Sequence, residues 1–336
     1  MRRPDVSPQV RMEASMAART LTFFVILTAG MPLSVWAQAP APSRSPASAR
    51  AQAGTSAPAG ASQTAFDSPE AAMQALIDAA AKNDTALLSA LFGPNGGRIL
   101  TSGDAQKDTA ERAEFSELAN RKHELQPSML NRNVRIVIVG AEDWPFPVPI
   151  VQTSGKWRFE TAQGMMEMRA RRIGADELDA IEICAGYVEA QQTYAAQVRD
   201  QHGLLEYAQQ IMSSAGQHDG LYWPGEGSLV PEGFAAAETR TGATSRPKPY
   251  HGYYFRVLKS QGADAPEGQH NYLVKDSMIG GFGLVAWPST YGVTGVHTFI
   301  VNQDGVIYER DLGTPASSLA PPVNRYNPDK AWTPVN

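Results

Sequence analysis

The chain of 336 residues has a single cysteine, Cys184, which excludes an intrachain disulfide and any zinc or iron–sulfur site built from several cysteines. It also lacks an excess of positive charge, since 29 Lys and Arg stand against 34 Asp and Glu. Nonspecific nucleic-acid binding needs a basic face, so nucleic acid is not an expected partner. A nucleophile elbow, a phosphate-binding loop and a dinucleotide fingerprint are all missing. The sequence therefore predicts no catalytic residue, no metal site and no cofactor.

Long hydrophobic runs are scarce, and the longest stretch lies near the amino terminus. Arginines precede the apolar run Leu21–Ala29, Pro32 follows it, and Val35-Trp-Ala37 has small residues at its first and third positions. This is the order of a secretory signal peptide, with cleavage after Ala37. The alternative is a membrane anchor, but residues 21–37 barely span a bilayer core of about 30 Å. We predict a signal peptide over residues 1–37, export to the periplasm or outside the cell, and no stable membrane span after cleavage.

Residues 38–65 are almost entirely Ala, Pro, Ser, Gln, Gly and Thr. Such a segment has no large apolar side chain to offset an ordering cost of about 1–2 kcal/mol per residue. We predict a disordered linker, and a folded protein that starts at Phe66.

Residues 66–163 have the pattern of helices followed by strands. Asp67-Ser-Pro-Glu70 is typical of a helix start, and a third helix is predicted over Glu111–Glu124. Val134–Val139 predicts a strand, and Thr153-Ser-Gly155 a turn between two more. Helices before a curled antiparallel sheet resemble the nuclear-transport-factor-2-like (NTF2-like) cone. Because such cones often hold a pocket, a periplasmic small-ligand binder or hydrolase is the alternative function.

Residues 164–313 predict a long helix followed by an antiparallel sheet. A first helical stretch ends at Gly174, and Asp176 opens a second that reaches about Arg199, with Cys184 on its buried stripe. Strands are expected at 253–258, 271–275, 282–287, 296–301 and 306–309, and Asp304-Gly305 predicts a hairpin turn. The fold class is therefore α+β, with this helix packed on a four- to five-stranded antiparallel meander. Residues 314–336 are expected to form an irregular tail.

Two resemblances follow from particular segments. Asp219-Gly-Leu-Tyr-Trp223, Pro249-Tyr-His-Gly-Tyr-Tyr-Phe255 and residues 281–313 resemble the bacterial exported family known as domain of unknown function 2950. That resemblance implies no activity. Members of the family often carry an Asp/Gly-rich turn after the long helix, which would suit calcium. The corresponding residues here, Asp200-Gln-His-Gly203, offer one carboxylate, which is too few for a calcium ion that takes six to eight oxygen ligands. The helix and sheet of residues 164–313 are also similar to a pseudopilin-like head, although their long helix is internal rather than amino-terminal.

Aromatic residues are concentrated between positions 222 and 291. They fill the core, or they form a partly exposed surface for a glycan, a peptide or a partner protein. The candidate binding surface consists of Tyr222, Trp223, Tyr250, His251, Tyr253, Trp287 and Tyr291. His251 and His270 could meet Asp219 or Asp264 in space, but scattered histidines without paired spacing are normally surface or capping residues. The resulting expectation is an exported non-catalytic binding or assembly protein of the periplasm or cell envelope, with a cell-envelope protein or glycan as its partner.

Overall fold

The computed structural model describes residues 63–197, 205–240, 246–314, 319 and 322–335. The predicted signal peptide, residues 38–62 of the predicted linker and the turn at 200–203 lie outside the described residues. The described chain forms two compact units, one up to Met168 and the other from Arg169 onward. Within this described part, no helix combines the length and the apolar character that a membrane span requires.

The helices of the first unit begin at residues whose side chains cap them. Ser68 Oγ accepts a hydrogen bond from Ala71 N at the start of helix α1, and Asp104 accepts hydrogen bonds from two backbone amides at the start of α4. Gln63 is already part of this unit, because its side-chain amide donates to Leu91 O and Phe159 O. The helices are α1 (Pro69–Ala81), α2 (Thr85–Phe92), α3 (Gly97–Leu100) and α4 (Ala105–Arg121).

An antiparallel sheet follows these helices. Its strands are β1 (His123–Pro127), β2 (Val134–Val139), β3 (Trp144–Pro145), β4 (Ile150–Thr153) and β5 (Lys156–Phe159), in the order β1-β2-β4-β5, with β3 also pairing with β2. The prediction of a strand over Val134–Val139 is confirmed. The prediction that His123 and Glu124 end a helix is wrong: Lys122 is extended, and pairing with β2 draws these residues into β1.

Aromatic rings fill the interior of the first unit. The ring centroids of Phe92 and Phe159 lie 5.3 Å apart, and those of Phe115 and Phe146 lie 5.2 Å apart. Trp144 packs edge-on against Phe146 at 6.1 Å. Residues 144–147, with the sequence Trp-Pro-Phe-Pro, therefore form an ordered edge packed on the core. The finer NTF2-like interpretation stays a prediction.

A 35-residue helix, α5 (Thr161–Ala195), runs from the first unit into the second. The predicted break at Gly174 is wrong, because the helix continues through this residue. A glycine inside a helix costs about 1 kcal/mol relative to alanine, which a long helix tolerates. The acids at 176 and 177 therefore lie in the middle of a helix rather than at its start.

Replacing Gly174 with alanine is expected to raise the free energy of unfolding by about 0.5–1 kcal/mol, because it removes the entropic cost of glycine. A Cβ atom at this position meets nothing within 4 Å. Denaturant unfolding measures the change. Gly164→Ala is the matched control in the same helix: its Cβ would lie 2.5 Å from Val148 Cγ2, so a loss of stability is expected. A destabilised Gly174→Ala variant would contradict the prediction.

The second unit contains a five-stranded antiparallel sheet in the order β6-β11-β12-β13-β14. These strands are β6 (Tyr253–Leu258), β11 (Gly283–Pro288), β12 (His297–Asn302), β13 (Tyr308–Asp311) and β14 (Thr333–Pro334). Two short pairs lie between β6 and β11, namely β7 (Ser260–Gln261) with β8 (His270–Asn271), and β9 (Leu273–Val274) with β10 (Ser277–Met278). A short helix, α6 (Glu232–Ala236), precedes the sheet. The α+β class is confirmed, whereas the pilin-like interpretation stays a prediction.

Both faces of this sheet are covered. Helix α5 packs on one face through Ile183, Cys184 and Tyr187, all fully buried. Cys184 is thus a buried small hydrophobic residue, as predicted, and burial raises the pKa of its thiol. On the other face, Tyr326 and Trp332 pack against the sheet. The described part of the segment predicted as an irregular tail therefore includes a strand, β14, and two buried aromatic residues.

Candidate functional site

One end of the second sheet is held to α5 by carboxylates. Asp179 Oδ2 lies 2.7 Å from His251 Nδ1. His251 and Gly252 have φ values of +46° and +76°, and Tyr250 and Tyr253 exchange both backbone hydrogen bonds around them. This is the geometry of a type I′ turn. A non-glycine residue in this conformation is uncommon, and such residues are concentrated at functional sites.

Glu177 binds the neighbouring loop in a similar way. Its Oε1 accepts hydrogen bonds from the backbone amides of Val296 at 2.8 Å and His297 at 3.0 Å. Both carboxylate oxygens lie 3.2 Å from His297 Nδ1. Successive acids of α5 thus fix the turn before β6 and the loop before β12.

Asp176 lies beneath these two turns and is 8% exposed. Its Oδ2 accepts no hydrogen bond from any described residue, and its nearest cation is Arg172 Nε at 3.6 Å. Burial raises its pKa to about 6; Arg172 and His251 oppose this rise, and Asp179 adds to it. A Cβ atom on Gly252 would lie 2.6 Å from this oxygen and 2.8 Å from Thr294 Cβ, so only glycine fits here.

We call Asp176, Glu177, Asp179, His251 and His297 the acid–histidine cluster. A carboxylate at Nδ1 fixes the tautomer of a histidine and leaves Nε2 as its second proton-binding atom. Within the described part of the chain, no hydrogen bond reaches Nε2 of His251. The same part of the chain holds no group of three or more His, Cys, Asp or Glu placed to bind a metal ion. The cluster can bind protons and orient a polar ligand.

The seven residues of the predicted binding surface divide into two sets. Trp223, Tyr253 and Trp287 are buried, with exposed fractions of 6%, 0% and 1%. Tyr253 donates a hydrogen bond to His297 O and so supports the cluster from within the core. The other four are partly exposed: Tyr222, Tyr250, His251 and Tyr291. Their role in binding stays a prediction.

We call these four residues the aromatic strip; His251 belongs both to the strip and to the acid–histidine cluster. The ring of Tyr250 meets that of His251 edge-on at 4.4 Å and packs over Gly233. Desolvation raises the pKa of Tyr222, and the negative charge of Glu232, next to that glycine, raises it further. Tyr291 donates to the Asp311 carboxylate at 3.0 Å, and Asp311 is the register partner of His297 across β12 and β13. The strip thus borders the cluster on the surface of one unit.

The structure does not pair His251 or His270 with Asp219 or Asp264, a possibility that the sequence left open. Asp219 accepts hydrogen bonds from Ser214 N and Oγ, and Asp264 pairs with Asn327. His270 contacts the carbonyl oxygens of Gly268 and Gly280. His251 instead pairs with an acid 72 positions earlier. Sequence reasoning missed Asp179 because an acid on a helix is ordinarily a solvated residue.

Comparison with known proteins identifies a family. No curated protein and no solved structure matches the chain. The model of the family described as "Protein of unknown function (DUF2950)" matches residues 63–335. These residues include both compact units, the acid–histidine cluster and the aromatic strip. The match confirms the resemblance of the aromatic segments, and the chain belongs to the DUF2950 family.

Proposed function

We propose that this chain is an exported, non-catalytic binding or assembly protein of the periplasm or cell envelope, and that it binds its partner through the aromatic strip. The observation that carries the proposal is that three tyrosines and a histidine stay partly exposed around one rigid cluster while their aromatic neighbours are buried. Export is supported by the order of the basic, apolar and small-residue segments in residues 1–37.

The rigidity of the strip suits binding. Tyr250 and His251 sit in a tight turn that Asp179 holds to α5, and Tyr291 is fixed by Asp311. Tyrosine offers a large contact area at a low cost in conformational entropy, and a preorganised surface lowers the cost of binding further. Its ring and hydroxyl suit a partner that is partly apolar and partly polar, such as a cell-envelope protein or glycan.

The alternative function places a ligand pocket in the first unit. Aromatic rings occupy the space between the helices and the sheet of this unit, where a pocket would lie, namely those of Phe92, Phe115, Phe146 and Phe159. This packing argues against a ligand pocket in the first unit and favours binding through the surface of the second. A small-molecule site needs a concave space with convergent polar groups.

Export is tested by expressing the full chain in a Gram-negative bacterium and measuring the mass of the protein released by osmotic shock. We expect a chain that begins at Gln38. A protein that keeps its leader and stays in the cytoplasm would refute this half of the proposal.

Binding is tested with isolated peptidoglycan sacculi and with envelope membranes from the same bacterium. The double variant Tyr250→Ala, Tyr291→Ala is expected to lose at least tenfold in affinity for one of these two fractions. Tyrosines that become buried when an interface forms contribute a large share of its binding energy. Tyr308→Ala is the matched control, since Tyr308 is a partly exposed tyrosine outside the strip. Thermal melts verify that each variant folds. Unchanged binding by the double variant, or no binding of wild type to either fraction, would overturn the proposed role of the strip.

A further inference from the structure

The first unit carries a pair of exposed apolar side chains that the proposed function does not use. Met129 and Leu130 lie in the loop between β1 and β2 and are 91% and 76% exposed, the highest values among the large apolar side chains of the described residues. Single apolar residues are ordinary on protein surfaces. Two adjacent exposed apolar residues at the tip of a hairpin form a small apolar patch.

The loop is ordered, so it holds these side chains outward. Ser128 Oγ accepts a hydrogen bond from Leu130 N, and Asn131 Oδ1 accepts one from Asn133 N. Arg135 donates to Arg132 O at 2.7 Å, and its guanidinium lies 5.2 Å from the centre of the Trp157 ring. Met129 and Leu130 are thus presented by a braced loop.

Several basic residues lie at the same end of the sheet as this tip. Gln152 N donates to Asn133 O, which places the β4–β5 turn at the same end of the sheet as the loop. This end carries the cations Arg132, Arg135, Lys156 and Arg158. Lys156 pairs with the acid Asp67. Glu124 is at the far end of β1, where it pairs with Ile138. The chain as a whole is acidic, with a formal net charge of −5, so this basic end is a local feature.

We infer that the β1–β2 tip inserts into the headgroup region of an anionic lipid bilayer, with Met129 and Leu130 entering the interface and the surrounding cations facing the lipid phosphates. Apolar side chains bordered by Lys and Arg are the composition of segments that bind membrane surfaces, and each cation near an anionic surface adds to the attraction. A protein groove could accept the apolar pair, but the cations favour an anionic lipid surface. This contact is peripheral, and it requires neither the aromatic strip nor export.

The single buried cysteine makes a local test practicable. Cys184 is fully buried, so a cysteine introduced as Asn133→Cys, at an exposed position, can be labelled selectively with an environment-sensitive dye. With vesicles of phosphatidylglycerol and phosphatidylethanolamine, we expect a blue shift of the dye and quenching by lipids that carry a quencher near the headgroup. With phosphatidylcholine vesicles, we expect partitioning at least tenfold weaker.

Variants in the same labelled background separate the two contributions. Met129→Ser with Leu130→Ser is expected to lower partitioning at least tenfold, because it removes the apolar contact. Arg132→Gln is expected to lower it about fivefold, as one charge at an anionic surface predicts. The control carries its dye through Val306→Cys, an exposed position in the second unit, and that dye is expected to remain in water.

Three results would overturn the inference. The first is a dye at position 133 that remains in water in the presence of anionic vesicles. This result would overturn the inference even if the chain sediments with the vesicles, because another region would then make the contact. The second is equal insertion into neutral vesicles. The third is unchanged insertion by the double serine variant. Circular dichroism verifies that the variants fold, which is expected because both side chains are exposed.

Discussion

Replacement of Gln191 by leucine is expected to lower the free energy of unfolding by about 3–5 kcal/mol. Gln191 is fully buried on α5, and its side-chain amide pairs with the backbone of Ala208. Its Oε1 accepts a hydrogen bond from Ala208 N at 2.8 Å, and its Nε2 donates one to Ala208 O at 2.8 Å. It also donates to Tyr187 Oη at 2.9 Å, and that hydroxyl donates to Gly283 O. Leucine would leave buried backbone groups without partners, at about 1–3 kcal/mol each.

Denaturant unfolding of the full chain, followed by tryptophan fluorescence, measures this loss. The adjacent Gln192→Leu is the matched control, because Gln192 is exposed and the same substitution there is expected to change stability by less than about 0.5 kcal/mol. A Gln191→Leu variant within about 1 kcal/mol of wild type would show that the pairing with Ala208 does not hold the segment after α5 in place.

The second large effect has the opposite sign and depends on pH. Asp176→Asn is expected to raise the free energy of unfolding by up to about 3 kcal/mol at pH 8, because asparagine removes a buried negative charge whose Oδ2 accepts no hydrogen bond from the described residues. The pKa of this aspartate is raised from 3.8 to about 6 in the folded protein, chiefly by burial. At about 1.4 kcal/mol per pKa unit, this difference gives the stated gain.

The pH dependence follows from the direction of that pKa change. Above pH 6 the carboxyl is ionised in both the folded and the unfolded chain, and the folded chain bears the cost of the buried charge. As the pH falls from about 6 to about 4, the folded chain takes up a proton first. Wild-type stability therefore rises relative to the variant, and the difference between them shrinks.

Unfolding of both proteins at pH 4.5, 6 and 8 measures the difference. Glu226→Gln, at an exposed position, is the control and is expected to show no such trend. Parallel curves for Asp176→Asn and wild type would contradict the prediction. A carboxyl that costs stability in the folded state is characteristic of functional sites, which supports the choice of the acid–histidine cluster and its aromatic strip.

The parts of the fold that sequence patterns predicted are those with local causes. β2 and β6 have the predicted bounds, Val134–Val139 and Tyr253–Leu258, because runs of β-branched and aromatic residues favour strands. Asp304-Gly305 gives the turn between β12 and β13, because glycine supplies its positive φ there.

The parts that were missed depend on distant partners. β1 has the sequence His-Glu-Leu-Gln-Pro, which lacks alternation, and it is a strand because β2 pairs with it. For the candidate site, the sequence indicated the partly exposed Tyr222, Tyr250, His251 and Tyr291 by composition. It could not indicate that acids on α5 meet residues 72 and 120 positions away, because periodicity carries no information on contacts at that separation.

The sheet order also sets a sequence of events during synthesis. β6 ends at Leu258, yet the sheet to which it belongs is completed by β14 and covered on one face by Trp332. The first unit is complete in sequence before residues 259–334 are added, so a chain that crosses a membrane amino terminus first can also fold this unit first. The second unit must wait with an apolar sheet face uncovered, so it is the part of the nascent chain that most needs protection from aggregation.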